Sequence, residues 1–370
     1  MLDWRKRLGQ ILGAGTAAVD PETLVRDHLR LGPPLPEHDE IVLLAIGKAA
    51  HGMARGAVQA LGVPARSVVV GPTEADLSAL DVFVGNHPIP GRESFEAGRR
   101  LLEAAGAAEP KHLVLVLLSG GASAMAEVPA PGVSEHQIRE VAASLFKSGR
   151  PIADINQQRS ALSALKRGGI TAAARPARVV TLAISDVFDA GPEVIGSGPS
   201  IGSDVFEVLA DGSTAARAVV QACRKADLDP EMSTRPITGP ASDAGSHLGR
   251  AALALTNRAA LVGFGETTVR VDGTGRGGRN QELALAAAIE IAGTNVLVGS
   301  IGTDGIDGPT GNAGAVVDGT TAKRGADLGL DAAAHLTDHD SATFLEAVGD
   351  VIVTGPTGTN VGDLMVAMRP

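Results

Sequence analysis

Short apolar runs recur along the first half of the chain, and glycine-rich or polar turns follow most of them. Runs without polar alternation predict strands at 41–46, 67–70, 113–118 and 179–184, and a shorter strand in DVFVGNHP. Continuous apolar runs are typical of parallel strands that are covered on both faces. Helical patterns separate the runs, so the first part of the chain is predicted to form a doubly wound α/β fold.

The stretch between the strands near 118 and 179 is predicted to be mostly helical. VSEHQIREVAASLFKSG has Ser134 as its N-cap and Gln137 three residues later, which is the pattern of a capping box. DINQQRSALSALKRGG is predicted as a second helix that ends at Gly168 and Gly169. MLDWRKRLGQILGAG is predicted as a surface helix, because its basic patch precedes only a short apolar run.

A second pattern begins after DLDPEMSTRPITGPASDAG, whose Pro, Ser, Gly and Asp content predicts a linker. We place a domain boundary near residue 240, which gives an N-terminal domain of 1–240 and a smaller α/β domain of 241–370. The second domain is predicted to contain a helix in SHLGRAALALTN, a strand–turn–strand in ALVGFGETTVRVDG and a helix at 280–291. Further predicted elements lie in NVLVGSIGTDG, DSATFLEAV and DVIVTG.

Composition and charge narrow the classes of function. The 370 residues are 44% hydrophobic but only 2% aromatic, and the net charge is −10. Few aromatic rings and no long basic block argue against nucleic-acid binding. The single Cys223 excludes an internal disulfide and a cysteine-based metal cluster, and it is predicted to pack as a small apolar side chain. No apolar stretch is long enough to predict a membrane span, so a cytoplasmic location is expected.

Candidate binding residues follow the predicted strands, where ligands bind in doubly wound sheets. Lys48 follows Gly47 at the first turn of a helix, where a bound anion would offset the unfavourable position of a cation. His87 precedes a proline in GNHPIPG. It could bind the substrate, shuttle a proton or be only a structural residue of the loop. SGGASAM offers backbone N–H groups and hydroxyls that could cradle an anion, at Ser119, Gly120, Gly121 and Ser123. Neither the P-loop spacing G-x-x-x-x-G-K-[ST] nor the serine-nucleophile pattern G-x-S-x-G occurs at these positions.

Carboxylates follow two later strands. Asp186 and Asp189 stand in SDVFDAGP, and Asp304 and Asp307 stand in GTDGIDGPT. Pairs of this kind suit Mg²⁺ or substrate hydroxyl groups, although turn formation explains them equally well. The second pair lacks the spacing of an EF-hand loop, so that reading is rejected.

TGRGGRNQELALAAAIEI places glycines and arginines at the start of an apolar helix. Gly277 and Gly278 would let a ligand approach the backbone, and two arginines at a positive helix end do not favour helix stability. Planar guanidinium groups can clamp a carboxylate or phosphate. The predicted polar contacts are Arg276, Arg279, Asn280, Gln281 and Glu282.

These motifs together resemble the glycerate 2-kinase family with its C-terminal MOFRL domain. The resemblance runs from about residue 40 to 365, and GRGGRNQE, GTDGIDGPT and GPTGTNV are its most specific segments. It implies a Rossmann-like first domain, a smaller MOFRL domain and an active site in the cleft between them. It also implies phosphorylation of D-glycerate at the C2 hydroxyl with ATP and Mg²⁺, for which Lys48 and Arg279 are essential.

The proposed roles follow the needs of phosphoryl transfer, which are alignment and charge neutralisation. Lys48 would meet the transferring phosphate and Arg279 would clamp the acid or the phosphoryl oxygens. Asp186 and Asp189 would hold Mg²⁺ or accept the hydroxyl proton, and Asp304 and Asp307 would add metal ligands.

Some segments depart from the family pattern, notably QRSALSALKRGG and SDVFDAGP. Three alternatives therefore stay open: a kinase for another small sugar acid, a hydroxypyruvate reductase and a non-catalytic protein that binds a metabolite. No G-x-G-x-x-G fingerprint follows the first strand, which disfavours the reductase. The oligomeric state also stays open, with a homodimer as one option.

Overall fold

A computed structural model of the protein describes residues 3–77, 79–148, 160–188, 191–271 and 273–370. Internal contacts divide the chain into two compact units. The N-terminal unit comprises Asp20–Asp211 and the short segment Gly358–Asn360. The C-terminal unit comprises Gly212–Thr357, Val361–Pro370 and the residues up to Val19.

The N-terminal unit alternates helices and strands, as the apolar runs predict. Its strands are β1 (Glu40–Ile46), β2 (Arg66–Gly71), β3 (Val82–Val84), β4 (His112–Ser119), β5 (Arg178–Ile184) and β6 (Val205–Ala210). Its helices are α2 (Pro21–Leu31), α3 (Ala50–Leu61), α4 (Arg92–Gly106), α5 (Ala122–Met125), α6 (Glu135–Ser148) and α7 (Gly169–Ala174), with a 3₁₀ turn at Pro192–Ser197.

Within the described residues these strands form a six-stranded, all-parallel sheet in the order β3-β2-β1-β4-β5-β6. The central strands carry almost only Val, Leu, Ile and Ala, and most of these side chains are fully buried. The doubly wound α/β fold class is therefore confirmed. All six strands end at one edge of the sheet, which is where this fold class binds its ligands.

The capping box predicted for α6 is present. The amide of Gln137 donates to Ser134 Oγ at 3.2 Å, and the amide of Ser134 donates to Gln137 Oε1 at 2.8 Å. These two hydrogen bonds satisfy backbone N–H groups at the helix start that have no partner within the helix.

The helix predicted to end at Gly168 and Gly169 is confirmed only in part over the described residues, because residues 160–161 are helical and the helix does not continue to Gly168. Residues 164–168 form bends and turns, and Ser163 pairs with Pro129 in an isolated β-bridge. Gly168 has φ +93° and precedes α7 as its N-cap, so it begins a helix and does not end one. The buried ion pair of Lys166 with Glu127 fixes this conformation and overrides the local helical pattern. Residues 149–159 lie outside the described residues.

The C-terminal unit mixes antiparallel and parallel strands. Its strands are β7 (Asp229–Met232), β8 (Ile237–Pro240), β9 (Ala259–Thr268), β10 (Leu297–Gly302), β11 (Gly314–Asp318), β12 (Val351–Ile352) and β13 (Asp363–Arg369). Its helices are α1 (Trp4–Ala17), α8 (Gly212–Lys225), α9 (Ala241–Leu253), α10 (Arg279–Glu290), α11 (Thr321–Asp327), α12 (Ala332–Thr337) and α13 (Ser341–Val348).

Its sheet has the order β12-β11-β10-β13-β9-β7 among the described residues, with β8 also paired to β9. The strand β13 runs antiparallel to both β9 and β10 at the centre of this sheet. The helix predicted at 280–291 is confirmed as α10, and Gly278 is its N-cap. A single strand, β9, replaces the strand–turn–strand predicted from residue 260 onward.

The C-terminal unit includes Gly212–Thr357, whereas the sequence predicted a domain boundary near residue 240. The predicted linker contains β7 and β8, which pair in parallel with β9 and so join the C-terminal sheet. Proline and glycine in this stretch thus mark short strands at the margin of a sheet, a position that proline tolerates.

The surface helix predicted at the N terminus is confirmed as α1, and its buried face covers the C-terminal unit. Leu8, Ile11 and Leu12 of α1 are buried, and Gly15 faces Leu364 and Val219. Apolar residues four apart fall on one face of a helix, so the short apolar run suffices to cover β10. Within the described residues, no helix combines the length and apolar character that a membrane crossing requires.

Cys223 lies fully buried on α8, and burial raises the pKa of its thiol to about 11. Since the thiolate is the reactive form, we expect the native protein to resist iodoacetamide at pH 8. Mass spectrometry should show full alkylation of Cys223 only after unfolding in guanidinium. Rapid alkylation of the native protein at pH 8 would contradict this burial.

Candidate active site

The carboxyl edge of the parallel sheet gathers polar groups from four strand ends. Lys48 follows β1, His87 follows β3, Gly120 follows β4 and Asp186 follows β5. These residues lie far apart in sequence, and the parallel pairing of their strands brings them to one edge. As expected from the sequence, these candidate binding residues lie in the loops that follow the strands.

Ser119 ties two of these loops together from inside the fold. Its hydroxyl is buried, accepts a hydrogen bond from the amide of Ala49 at 3.0 Å and donates to the carbonyl of Ile46 at 3.4 Å. Gly47 has φ +119°, and a side chain there would collide with Ser119. Ser119 was expected to bind an anion, but the structure uses its hydroxyl to hold the turn that carries Lys48.

Gly120 lets two strand-end loops approach closely. Its carbonyl accepts the amide of Lys48 at 2.9 Å, and a side chain at this position would collide with the Asp186 carboxylate. Asp186 is half-buried and its Oδ2 accepts a hydrogen bond from Asn360 Nδ2 at 3.1 Å. Asn360 belongs to the Gly358–Asn360 segment of the same unit, so the end of the chain completes this cluster.

Gly121 lies between the side chains of Lys48 and His87. A Cβ built on it would lie 3.3 Å from Lys48 Cγ and 3.4 Å from His87 Cδ2. Gly121 has φ +83° and caps α5, and Ser123 in that helix is 2.8 Å from Ser197 through their hydroxyl oxygens. The structure thus brings Lys48, His87, Gly120, Gly121 and Asp186 into one cluster, which we call the strand-end cluster.

In the C-terminal unit, a carboxylate of the protein itself caps the start of α10. Asp307 accepts the backbone amides of Asn280 and Gln281 at 2.9 and 2.8 Å, and the side-chain amide of Gln281 at 2.9 Å. Asp307 is buried, and burial raises the pKa of its carboxyl group. Asp307 therefore satisfies the first backbone amides of α10, and its role as a metal ligand stays a prediction.

The glycines before α10 allow close packing within the protein. Side chains at Gly273 and Gly275 would crowd Asp338, and one at Gly278 would collide with Asp307. Gly277 faces Ser341 in the same way. The segments around 307 and 338–341 therefore pack closely against the glycine-rich loop. From the sequence pattern alone, Gly277 and Gly278 in this loop were attributed to the approach of a ligand.

Arg279 is held by two carboxylates. Its Nε and Nη2 donate to the two oxygens of buried Asp363 at 2.7 and 2.9 Å, and its Nη1 lies 3.1 Å from Glu266 Oε1. Burial opposes the charged guanidinium, but the attraction and hydrogen bonds of Asp363 outweigh burial and raise the pKa of Arg279. The Arg279 side chain is 28% exposed, so it can still meet a ligand.

The remaining predicted polar residues of this region also have partners within the protein. Arg276 Nη1 donates to Glu346 at 3.0 Å, and this hydrogen bond lowers the pKa of Glu346. Glu282 is buried 2.8 Å from His339 Nδ1, and burial raises the pKa of the Glu282 carboxyl group. Both pairs stabilise the loop around α10, and their role in ligand binding stays a prediction.

The predicted metal ligands stay predictions. Asp304 Oδ1 accepts the amide of Ile306 at 3.1 Å in the loop after β10, and Asp189 lies outside the described residues. In the part of the chain that the structure describes, no group of three or more His, Cys, Asp or Glu side chains is arranged to hold a metal ion.

Sequence reasoning assigned no role to Asn360, Asp363 or Glu266. Glu266 stands in ALVGFGETTVRVDG, which was predicted as a strand–turn–strand. Asn360 stands in the family segment GPTGTNV, and Asp363 follows two residues after that segment. Glu266 follows a glycine at the end of an apolar run, which was an available signal, whereas Asn360 and Asp363 carry no such signal. Their partners lie far away in sequence, so spacing alone could not reveal them.

Comparison with known proteins gives matches along the whole chain. Residues 7–235 match the family described as Domain of unknown function (DUF4147), and residues 259–363 match the MOFRL family. A D-glycerate 2-kinase of Thermotoga maritima is 35% identical, with 97% of each chain covered. A putative hydroxypyruvate reductase of Agrobacterium vitis is 32% identical, with 97% of this chain and 93% of the relative covered.

Solved structures agree with these relatives. The crystal structure of glycerate kinase from Thermotoga maritima superimposes with a TM-score of 0.91 at 32% identity, over 99% of both chains. A second crystal structure, of a protein from Pyrococcus horikoshii, gives a TM-score of 0.83 at 28% identity. Sequence and fold therefore agree over nearly the full length: the chain belongs to the glycerate kinase family, with its DUF4147 and MOFRL domains, and is a kinase.

Proposed function

We propose that the protein transfers the γ-phosphoryl group of ATP to the C2 hydroxyl of D-glycerate and forms 2-phosphoglycerate. The observation that carries this proposal is the strand-end cluster, which combines an ammonium group, a glycine-rich turn and a carboxylate. The names of the Thermotoga and Pyrococcus relatives, D-glycerate 2-kinase and glycerate 2-kinase, support glycerate as the acceptor.

Lys48 is the residue that neutralises the transferring phosphoryl group. Its ammonium group extends from the turn that Gly47, Ser119 and Gly120 fix, so the backbone of the site is set before substrate binds. Phosphoryl transfer requires mainly positioning and stabilisation of charge on the phosphoryl oxygens. The Gly120–Gly121 turn leaves space beside Lys48 that any side chain would fill.

Asp186 is the described carboxylate that fits Mg²⁺ in this cluster. It is half-buried, and one of its oxygens is oriented by Asn360. Magnesium usually binds one or two carboxylates together with substrate phosphates and water, so a single oriented carboxylate matches its donor preferences. Bound Mg²⁺ would supply charge neutralisation of the phosphates. Asp304 stays a prediction for the same role.

Arg279 is proposed to bind an anionic group of the substrate or of ATP. A guanidinium group offers several donors in a plane and binds carboxylate or phosphate through two of them. Two edges of the group are engaged by Asp363 and Glu266. Because Glu266 is far more exposed than Asp363, it is the partner that an incoming anion would replace.

The deciding experiment incubates the protein with ATP, Mg²⁺ and D-glycerate and couples the product to enolase. We expect direct conversion to phosphoenolpyruvate without phosphoglycerate mutase, because enolase accepts the 2-phosphate. A product that requires the mutase would place the phosphate on C3 and refute the proposed regiochemistry.

Two parallel assays separate the alternatives. A panel of four-carbon sugar acids in an ADP-release assay would identify another acceptor if D-glycerate were inactive. Oxidation of NAD(P)H with hydroxypyruvate would support the activity in the name of the Agrobacterium relative. We expect no NAD(P)H oxidation and a clear preference for D-glycerate.

A further inference from the structure

Asp363 is a buried carboxylate at the centre of the C-terminal sheet. It begins β13, and its side chain has no exposed surface. Pairing places it opposite Gly265 of β9 and Gly302 of β10. An ionised carboxylate is costly at such a position unless it is paired and hydrogen-bonded. Its presence there therefore needs a partner that compensates the charge.

Arg279 provides that partner in a side-on geometry. Nε and Nη2 of the guanidinium each donate to a different oxygen of Asp363, which fixes the plane of the group as well as its position. Asn280 Nδ2 also donates to Asp363 Oδ1 at 3.0 Å. The carboxylate thus holds two consecutive residues at the start of α10.

The opposite edge of the guanidinium has a different environment. Nη1 is 3.1 Å from Glu266, whose side chain is 43% exposed, whereas Asp363 is completely buried. A buried, bidentate pair is a durable contact, and an exposed ion pair is worth little. Asp363 is consequently the permanent partner of Arg279, and the Nη1 edge is the one that can exchange partners.

We propose that Asp363 is a positioning residue for the kinase reaction, which acts by holding the Nε edge of Arg279 so that its Nη1 edge meets the anionic group of a substrate. This inference rests on the proposed role of Arg279. It assigns a specific task to a residue that never touches the substrate, because Asp363 is shielded from solvent behind the guanidinium group.

A purely structural role is the competing explanation, and Asp350 offers a matched control. Asp350 is also buried in the C-terminal unit, and both of its oxygens accept from Arg324 Nη2 at 2.8 and 2.7 Å. Asp350→Asn removes a buried carboxylate from an arginine pair in the same unit. A general loss of packing would therefore affect both variants alike.

The test is a double-mutant cycle in the enolase-coupled assay with Arg279→Ala, Asp363→Asn and the combination. We expect Asp363→Asn to lower kcat/KM about a hundredfold, as misplacement of a catalytic group by about 1 Å does. In the Arg279→Ala background the same change should cost less than about twofold, because the two residues act as one unit. Asp350→Asn should keep kcat/KM within about twofold of the parent.

An Asp363→Asn variant that folds and keeps parental kcat/KM would overturn the proposal, as would losses that simply multiply in the double variant. If the parent does not phosphorylate D-glycerate, the proposed function fails and the cycle is run on the acid that the panel identifies. A readout independent of activity is the ¹⁵N-detected exchange of the Arg279 Nε proton. It should be slow in the parent and in Asp350→Asn, and fast in Asp363→Asn; slow exchange in Asp363→Asn would also refute the positioning role.

Discussion

Replacing Lys48 by alanine is expected to lower kcat by about a thousandfold, which corresponds to about 4 kcal/mol of transition-state stabilisation. The physical reason is that the ammonium group belongs to the strand-end cluster and is proposed to meet the transferring phosphoryl group. The backbone around position 48 is held by the Lys48 amide and by Ser119, and neither contact needs the lysine side chain. The measurement is the initial rate of the enolase-coupled reaction at saturating substrates.

The Lys48→Ala variant should unfold at nearly the same urea concentration as the parent, since the helix and the turn are retained. Lys111→Ala is the matched control, because the Lys111 side chain is 82% exposed and lies only at the margin of ion-pair distance, 4.0 Å, from Asp39. We expect the control to be fully active. Near-normal turnover of Lys48→Ala would remove Lys48 from the mechanism.

Replacing Lys166 by methionine is expected to destabilise the protein by about 3–5 kcal/mol. Lys166 and Glu127 form an ion pair in which each side chain is only 1% exposed. Removing one partner leaves the other charge buried without compensation, which costs far more than the loss of an exposed pair. Glu127 also accepts hydrogen bonds from the amide of Val128 and from Ser163, so its position is fixed. Urea unfolding followed by circular dichroism measures the change.

The double variant Glu127→Gln/Lys166→Met tests the reason for this loss. Glutamine keeps an acceptor oxygen for Val128 and Ser163 but carries no charge, so the buried imbalance disappears. We expect the double variant to regain at least half of the stability that Lys166→Met loses. If Lys166→Met alone costs less than about 1 kcal/mol, the pair is not the anchor of residues 163–168.

An element of the fold could be predicted from the sequence when the residues that determine it lie close together in the chain. The parallel strands could be predicted because runs such as HLVLVLL are apolar without interruption, and Ser134 with Gln137 carries its own capping signal. The helix expected to reach Gly168 stops at residue 161, because one buried ion pair outweighs the helical propensity of a short stretch. The role of β13 at the sheet centre was also missed, since pairing with β9 and β10 is a long-range property.

The residues of the candidate site also fall into those with a local sequence signal and those without one. Lys48, His87 and Asp186 could be selected because ligands bind at strand ends in this fold class. Gly277 and Gly278 pointed toward ligand approach, yet their neighbours are Ser341 and Asp307. A glycine signals that something comes close, and sequence does not say whether that is substrate or protein. Asp363 and Asn360 could not be assigned for a related reason, because their partners are distant in sequence.

The placement of α1 has a consequence for how the polypeptide is made. The helix leaves the ribosome before all of the N-terminal unit, while the strands whose surface it covers, β10 and β13, are translated near the end. The apolar face of α1 therefore stays exposed to solvent while the intervening unit is synthesised. This face consists of Leu8, Ile11 and Leu12. Exposed apolar surface of this kind invites aggregation, so shielding of nascent α1 by a chaperone would favour correct assembly.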